Sequence, residues 1–187
     1  MDPTGNPTFS TYTSYTVLIA GNDCTVAGLT IENTAGRVGQ AVALHTEGDR
    51  IVVRNCHISG HQNTFYLAKA GTRAYIEDCV IAGTTDFIFG AATAYFLRCR
   101  IASLSNSYIT AASTTHHDRY GFVFRSCALV AKSAVVDKVY LGRPWHPHAK
   151  TVFIHTEMEG HKFLMKINAI FFTPPTIPLT PEGGTIV

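Results

Sequence analysis

Charge is scarce in this sequence, and what there is nearly cancels. Only 15% of the 187 residues are charged, with 15 Lys and Arg against 13 Asp and Glu, a net of +2. The basic residues are scattered without a Lys/Arg run. So weak a field excludes nucleic acid as the expected partner, although one or two Arg residues still suit a single anionic ligand. Long apolar runs are also missing: none approaches the roughly 20 residues of a membrane span. The polar start Met1-Asp2-Pro3-Thr4-Gly5-Asn6 is not a signal peptide. The expectation is either an intracellular chain or a fragment whose targeting segment is absent. No two of the five cysteines (24, 56, 79, 99 and 127) form a CxxC pair, and one is left over. That argues against a zinc ribbon and against a complete disulfide framework. The length suits one domain with a sizeable core, elongated if repetitive.

What is present is a repeat written around those cysteines. Aligned on Cys56, Cys79, Cys99 and Cys127, the residues two positions on are Ile58, Ile81, Ile101 and Leu129. Three before stand Val53, Ile76, Phe96 and Phe124, and five before stand Ile51, Ala74, Ala94 and Phe122. A polar residue (Asn55, Asp78, Arg98, Ser126) precedes each anchor. The frame extends upstream to Leu29, with Cys24, Val26 and Ile31, and downstream to Thr156, with Thr151, Phe153 and Met158. Apolar positions alternate with period two, skip a step at the polar residue, then alternate again. That pattern is two short strands joined at a bend. Irregular repeats of about 20 to 30 residues, each unable to bury its apolar side alone, mean a solenoid. A leucine-rich consensus is missing, so the fold predicted is all-β, a right-handed parallel β-helix. The cysteines then form an internal column of small buried hydrophobes, expected for all five. The division predicted is a polar extension over 1–16, the β-helix over 17–159 and a Pro/Thr-rich tail over 160–187, where the repeat collapses.

Within this frame Gly83-Thr84-Thr85-Asp86-Phe87-Ile88-Phe89-Gly90 stands out, because one carboxylate sits among apolar and aromatic residues. A charge so placed needs a partner or a function; the plainer alternative is a turn Asp bonding its own backbone. Asp86 lies seven residues after Cys79 and Asn63 seven after Cys56, so the two are expected to stack one strand spacing, ~4.8 Å, apart. Asn106 holds the same offset on the next coil. Gln62 adjoins Asn63, and Gln40 opens the apolar run Ala41-Val42-Ala43-Leu44. Farther on, Leu141-Gly142-Arg143-Pro144-Trp145 brings an Arg and the single Trp into one turn. An Arg fixes a neighbouring carboxylate, and a Trp on a solenoid face suits stacking on a sugar ring, though core packing is the common fate of a lone Trp.

Four blocks now carry a resemblance. Gln40-Ala41-Val42-Ala43-Leu44, Gly60-His61-Gln62-Asn63-Thr64, Asp86-Phe87-Ile88-Phe89-Gly90 and Leu141-Gly142-Arg143-Pro144-Trp145 resemble the signature blocks of the pectinesterases (pectin methylesterases, carbohydrate esterase family 8), over roughly residues 8 to 159. The resemblance implies a right-handed parallel β-helix, here truncated at both ends, that removes methyl esters from polygalacturonate without a metal or other cofactor. It implies Asp86 as nucleophile, Gln40 and Gln62 as donors to the oxyanion, and Arg143 as the group holding Asp86. Trp145, with Phe87 and Tyr66, is expected to contact substrate. The implied partner is pectin, or homogalacturonan, bound by a monomer in an extracellular or periplasmic setting, with neither nucleic acid nor membrane involved.

Where the family has a second Asp to protonate the leaving group, this sequence has Asn63. An amide neither delivers nor accepts a proton at neutral pH, and losing a general acid–base typically costs about 10²- to 10⁴-fold. His61 is titratable, but alternation predicts that it points away from Gln62. The family's early Gly-x-Tyr-x-Glu segment and its usual final coils are not present. The expectation is therefore a pectinesterase of reduced or lost activity, with a non-catalytic pectin- or oligogalacturonide-binding β-helix as the alternative and a purely structural segment as a third reading. His116-His117 and His146-Pro147-His148 lack carboxylate or Cys at ligand spacing and read as surface loops, not metal ligands. A calcium lyase would want a carboxylate cluster and an inverting hydrolase paired acids, and Asp86 stands alone.

Overall fold

Each repeat closes one turn of a three-sided coil. The computed structural model describes residues 10–159 and, as backbone, the strands Lys162–Leu164 and Ile170–Thr173. All pairing is parallel, in two sheets of seven strands and one of six, and consecutive strands pass from one sheet to the next. The winding is the right-handed one that connections between parallel strands adopt in nearly every case. The first sheet stacks Val17–Ile19, Leu44–Thr46, Phe65–Leu67, Ile88–Gly90, Tyr108–Ala112, Lys138–Gly142 and Lys162–Leu164. It carries the site.

The polar residue before each anchor is a bend made in one step. Gly28, Asn55, Asp78, Arg98, Ser126 and His155 all hold φ between 46° and 68°. In this left-handed region a single residue redirects the strand from the second sheet into the third. Gly, Asn and Asp enter it cheaply, whereas Arg98, Ser126 and His155 accept a steric cost that cooperative stacking offsets.

Inside, equal offsets become columns. Ile31, Ile58, Ile81, Ile101 and Leu129 are buried one above another, and the rings of Phe96, Phe124 and Phe153 stack at 4.4 and 4.8 Å. Cys56, Cys79, Cys99 and Cys127 form the expected column. The thiols of Cys79, Cys99 and Cys127 donate to the carbonyls of Val53, Ile76 and Phe96 on the preceding coil, at 3.6, 3.6 and 3.5 Å. Cys24 departs from the expectation: it is only half-buried, as the strand it leads into, Thr25–Ala27, is the terminal member of the second sheet. The upstream anchor Leu29 is 52% exposed for the same reason.

Two other expectations change. The repeat does not stop at 159, because Lys162–Leu164 and Ile170–Thr173 extend the first and second sheets in register. Asn106 does not stack on Asp86. The Asp86 N–H donates to the Tyr108 carbonyl at 2.8 Å, and Ile88 pairs with Thr110. This coil is two residues longer before the first sheet, so offset counting slips. Asn106 instead holds the loop above it, accepting from the Asp137 and Lys138 N–H groups at 2.8 and 3.0 Å.

Candidate active site

Asp86 and Asn63 occupy the corner leading into the first sheet, both in the left-handed region with φ of 49° and 65°. Asp and Asn are the side-chain-bearing residues that tolerate this conformation best, which explains part of their presence. The Asn63 N–H donates to the Thr85 carbonyl at 3.0 Å, and Phe65 pairs with Ile88, so Asn63 and Asp86 stack as predicted. Each is 5% exposed.

Arg143 reaches Asp86 from two coils away. Its Nε donates to Oδ1 at 2.9 Å and to Oδ2 at 3.2 Å, and Nη2 donates to Oδ2. Two guanidinium nitrogens on two carboxylate oxygens fix the plane of the carboxylate as well as its position. The hydrogen bonds to Asp86 raise the Arg143 pKa above its ordinary value. The guanidinium also lies over the Tyr108 ring, 5.0 Å from its centroid, and Tyr108 stacks on Tyr140 at 4.9 Å. Tyr108 escaped sequence reasoning because the longer coil hides its register.

The two amides stack beside this pair. Gln40 and Gln62 form a parallel bridge, and the Ala41 N–H donates to the Gln62 carbonyl at 3.0 Å. Gln40 is exposed and Gln62 half-buried. The Thr11 hydroxyl donates to Gln40 Oε1, which leaves the amide N–H₂ end for other partners. Asn63 Oδ1 is buried without a hydrogen-bond partner. His61 and Gln62 line one cleft with Arg37, Thr84, Thr85 and Ser105, and His61 also lines a second cleft with Asn33, His57 and Ser59.

Aromatic rings run up the outer face of the first sheet. Tyr66 stacks on Phe89 at 4.4 Å and 8°, and Trp145 lies 5.8 Å from Phe89. Below, His45 lies 4.6 Å from Tyr66. Trp145 is 44% exposed and Tyr66 half-buried, so both offer surface to a ligand. Phe87 does not: it is 0% exposed in the core, because the left-handed step at Asp86 turns the next side chain inward. The expectation that it touches substrate is corrected. Phe89 stands beneath the platform instead, and its offset of ten from Cys79 equals that of Tyr66 from Cys56. Among the described residues no group of His, Cys, Asp and Glu is arranged to hold a metal ion.

The chain as a whole is similar to known proteins. The chain is 37% identical over 146 residues to Pectinesterase 31 of Arabidopsis thaliana, a match spanning 77% of this chain and 45% of that protein. Among solved structures, pectin methylesterase from Yersinia enterocolitica matches with a TM-score of 0.77 at 30% identity, over 91% of this chain and 63% of that one. A pectin methylesterase in complex with a hexasaccharide matches with a TM-score of 0.74 at 31% identity, over 86% of this chain and 57% of that one. The chain thus spans about half to under two thirds of these relatives. The Pectinesterase family model matches residues 4–163, and with this coil and these four blocks the chain belongs to the pectinesterase family.

Proposed function

We propose that this chain acts on methyl esters of polygalacturonate, with Asp86 as nucleophile. The observation carrying this reading is a nearly buried carboxylate gripped by Arg143 beside two stacked amides and an aromatic platform. Oδ1 accepts one hydrogen bond from Arg143 and Oδ2 accepts two, so Oδ1 keeps the freer lone pair. In the proposed reaction Oδ1 attacks the ester carbonyl carbon while Gln40 and Gln62 donate N–H groups to the oxyanion. Collapse breaks the bond to methoxide and leaves an anhydride with Asp86. Water then cleaves that anhydride, returning the carboxylate and a free uronic acid. Trp145 and Tyr66 hold the sugar rings.

Both steps need a proton carrier, and Asn63 is not one. Methoxide must take its proton from water, so turnover is expected to be slow. Asn63→Asp should raise methanol release from methylated pectin by about 10²- to 10⁴-fold. Asp86→Asn should abolish it in either background. Silence of both the natural chain and Asn63→Asp, with folding intact, would sink the proposal.

The buried, unpartnered Asn63 Oδ1 favours a second reading, in which the groove binds pectin without turning it over. It requires saturable binding that weakens on Trp145→Ala and no methanol from the natural chain. Under either reading the protein works as a monomer where polymeric pectin is found, outside the cytoplasm.

A further inference from the structure

We propose that the histidines around Trp145 form a docking patch for uronate carboxylates that strengthens as pH falls. This deepens the reading of pectin as the ligand and rests on it. The turn after Gly142 lies on the loop 113–120 of the preceding coil: the Trp145 N–H donates to the Ala112 carbonyl at 2.9 Å and the Lys150 N–H to Thr114 Oγ1 at 3.2 Å. The contact gathers imidazoles. The His116 ring is 3.6 Å from that of His117 and 5.7 Å from that of His148, and His146 sits edge-on to Trp145 at 6.0 Å. All four histidines are exposed. The patch continues the Tyr66–Phe89–Trp145 row, so a sugar chain lying on Trp145 passes over it.

Its surroundings hold little negative charge. No Asp or Glu occurs from residue 87 to 117 or from 138 to 156. Asp118, the carboxylate that follows the first of these segments, accepts from the Thr115 hydroxyl at 2.6 Å and the Gly71 N–H at 3.2 Å. Lys150 Nζ is bound to the Asp118 carbonyl, Arg119 lies over Tyr120, and Arg143 is committed to Asp86. Lys69, from the loop carrying Gly71, pairs with Glu47 at 3.2 Å.

Imidazoles as a class gain charge between about pH 8 and 5. Carboxylate binding and proton uptake therefore favour each other. Uronate carboxylates stay ionised down to about pH 4, so affinity for the free acid rises as pH falls from about 7.5 to 5.5. A methyl ester carries no charge. The patch grips de-esterified polymer and ignores the ester.

The test is a binding titration of the full chain at pH 5.5 and 7.5, at low salt with EDTA. Polygalacturonate is compared with fully methylated pectin, using the natural chain and the His116→Gln/His117→Gln/His148→Gln variant. Polygalacturonate should bind the natural chain about tenfold more tightly at pH 5.5, and the variant should lose that difference to within about twofold. Methylated pectin should show no pH response. An equal pH response in natural chain and variant, or an equal response to the methylated polymer, would overturn the proposal. If the triple variant fails to fold, His148→Gln alone should remove about half of the logarithmic response, and an unchanged response there overturns it equally. Methanol release plays no part in these readouts. An inactive chain that still shows the response sinks only the hydrolysis reading, and an active chain without it sinks only the patch.

Discussion

At the scale of single residues, the site depends on how Asp86 is held. A Lys at position 143 keeps the charge but offers a point donor in place of a planar fork, so the carboxylate would lose its fixed plane. In the Asn63→Asp background, Arg143→Lys should lower methanol release by about 10²-fold, the scale of cost for a misplaced reacting group. Unchanged kcat with a raised KM would show instead that Arg143 only binds substrate. Most of these residues were legible in the sequence, because four short blocks carry them and equal offsets place Asn63 over Asp86. Phe87 and Tyr108 were not. The inward turn of Phe87 follows from a backbone dihedral, and the approach of Tyr108 to Arg143 follows from a coil of different length.

At the scale of elements, one coil registers on the next through close backbone contacts. Gly90 holds φ of 122°, and a Cβ there would lie 2.0 Å from the Leu67 carbonyl oxygen. Gly90→Ala therefore meets both strain and backbone overlap and should cost at least about 2 kcal/mol, read as a lowered denaturation midpoint. The cysteine column makes a second prediction. Hydrogen bonding to Cys127, reinforced by burial, pushes the Cys99 thiol up to about 12, and hydrogen bonding to Cys99 raises Cys79. Cys127, at the other end of the shared bond, is lowered and owes its protection to burial. Alkylation of the native protein followed by mass spectrometry should label Cys24 first and leave Cys56, Cys79, Cys99 and Cys127 unmodified until unfolding. Early labelling of the column would mean that the coils open locally.

At the scale of the whole molecule, acid stability has two windows. His45 is buried between Tyr15 and Tyr66, and its Nε2 lies 3.4 Å from Glu47 Oε1 without hydrogen-bond alignment. Burial holds its pKa below the ordinary value, partly opposed by Glu47. The unfolded chain then binds this proton more readily. The stability His45 contributes is whole above about pH 6.5 and declines as pH falls toward its depressed value. A His45→Phe variant should lose that decline in a series of thermal midpoints from pH 7.5 to 5. Asp23, Asp49 and Asp78 act lower. Arg50, Arg73 and Arg98 donate to them and depress their pKa values, so those pairs persist until pH falls well below the usual carboxylate range. These pairs are exposed, and salt should weaken them.

The sequence by itself determined the repeat, the parallel coil, the cysteine column and most of the side chains at the site; that the coil has three sides came from the structure. Each is periodic or contiguous: alternation decides which face a residue takes, and a fixed offset decides which residues stack. Only the tertiary structure decided that Asn106 leaves the stack, that Phe87 turns inward while Phe89 supports the platform, and that Arg143 reaches Asp86 with two nitrogens. It also brought His116, which lies against His117, close to His148, which the sequence places in a separate loop. These features depend on how far one coil's loop exceeds the next. Chain length between anchors is visible in sequence, but which side of the coil absorbs the extra residues is settled by packing.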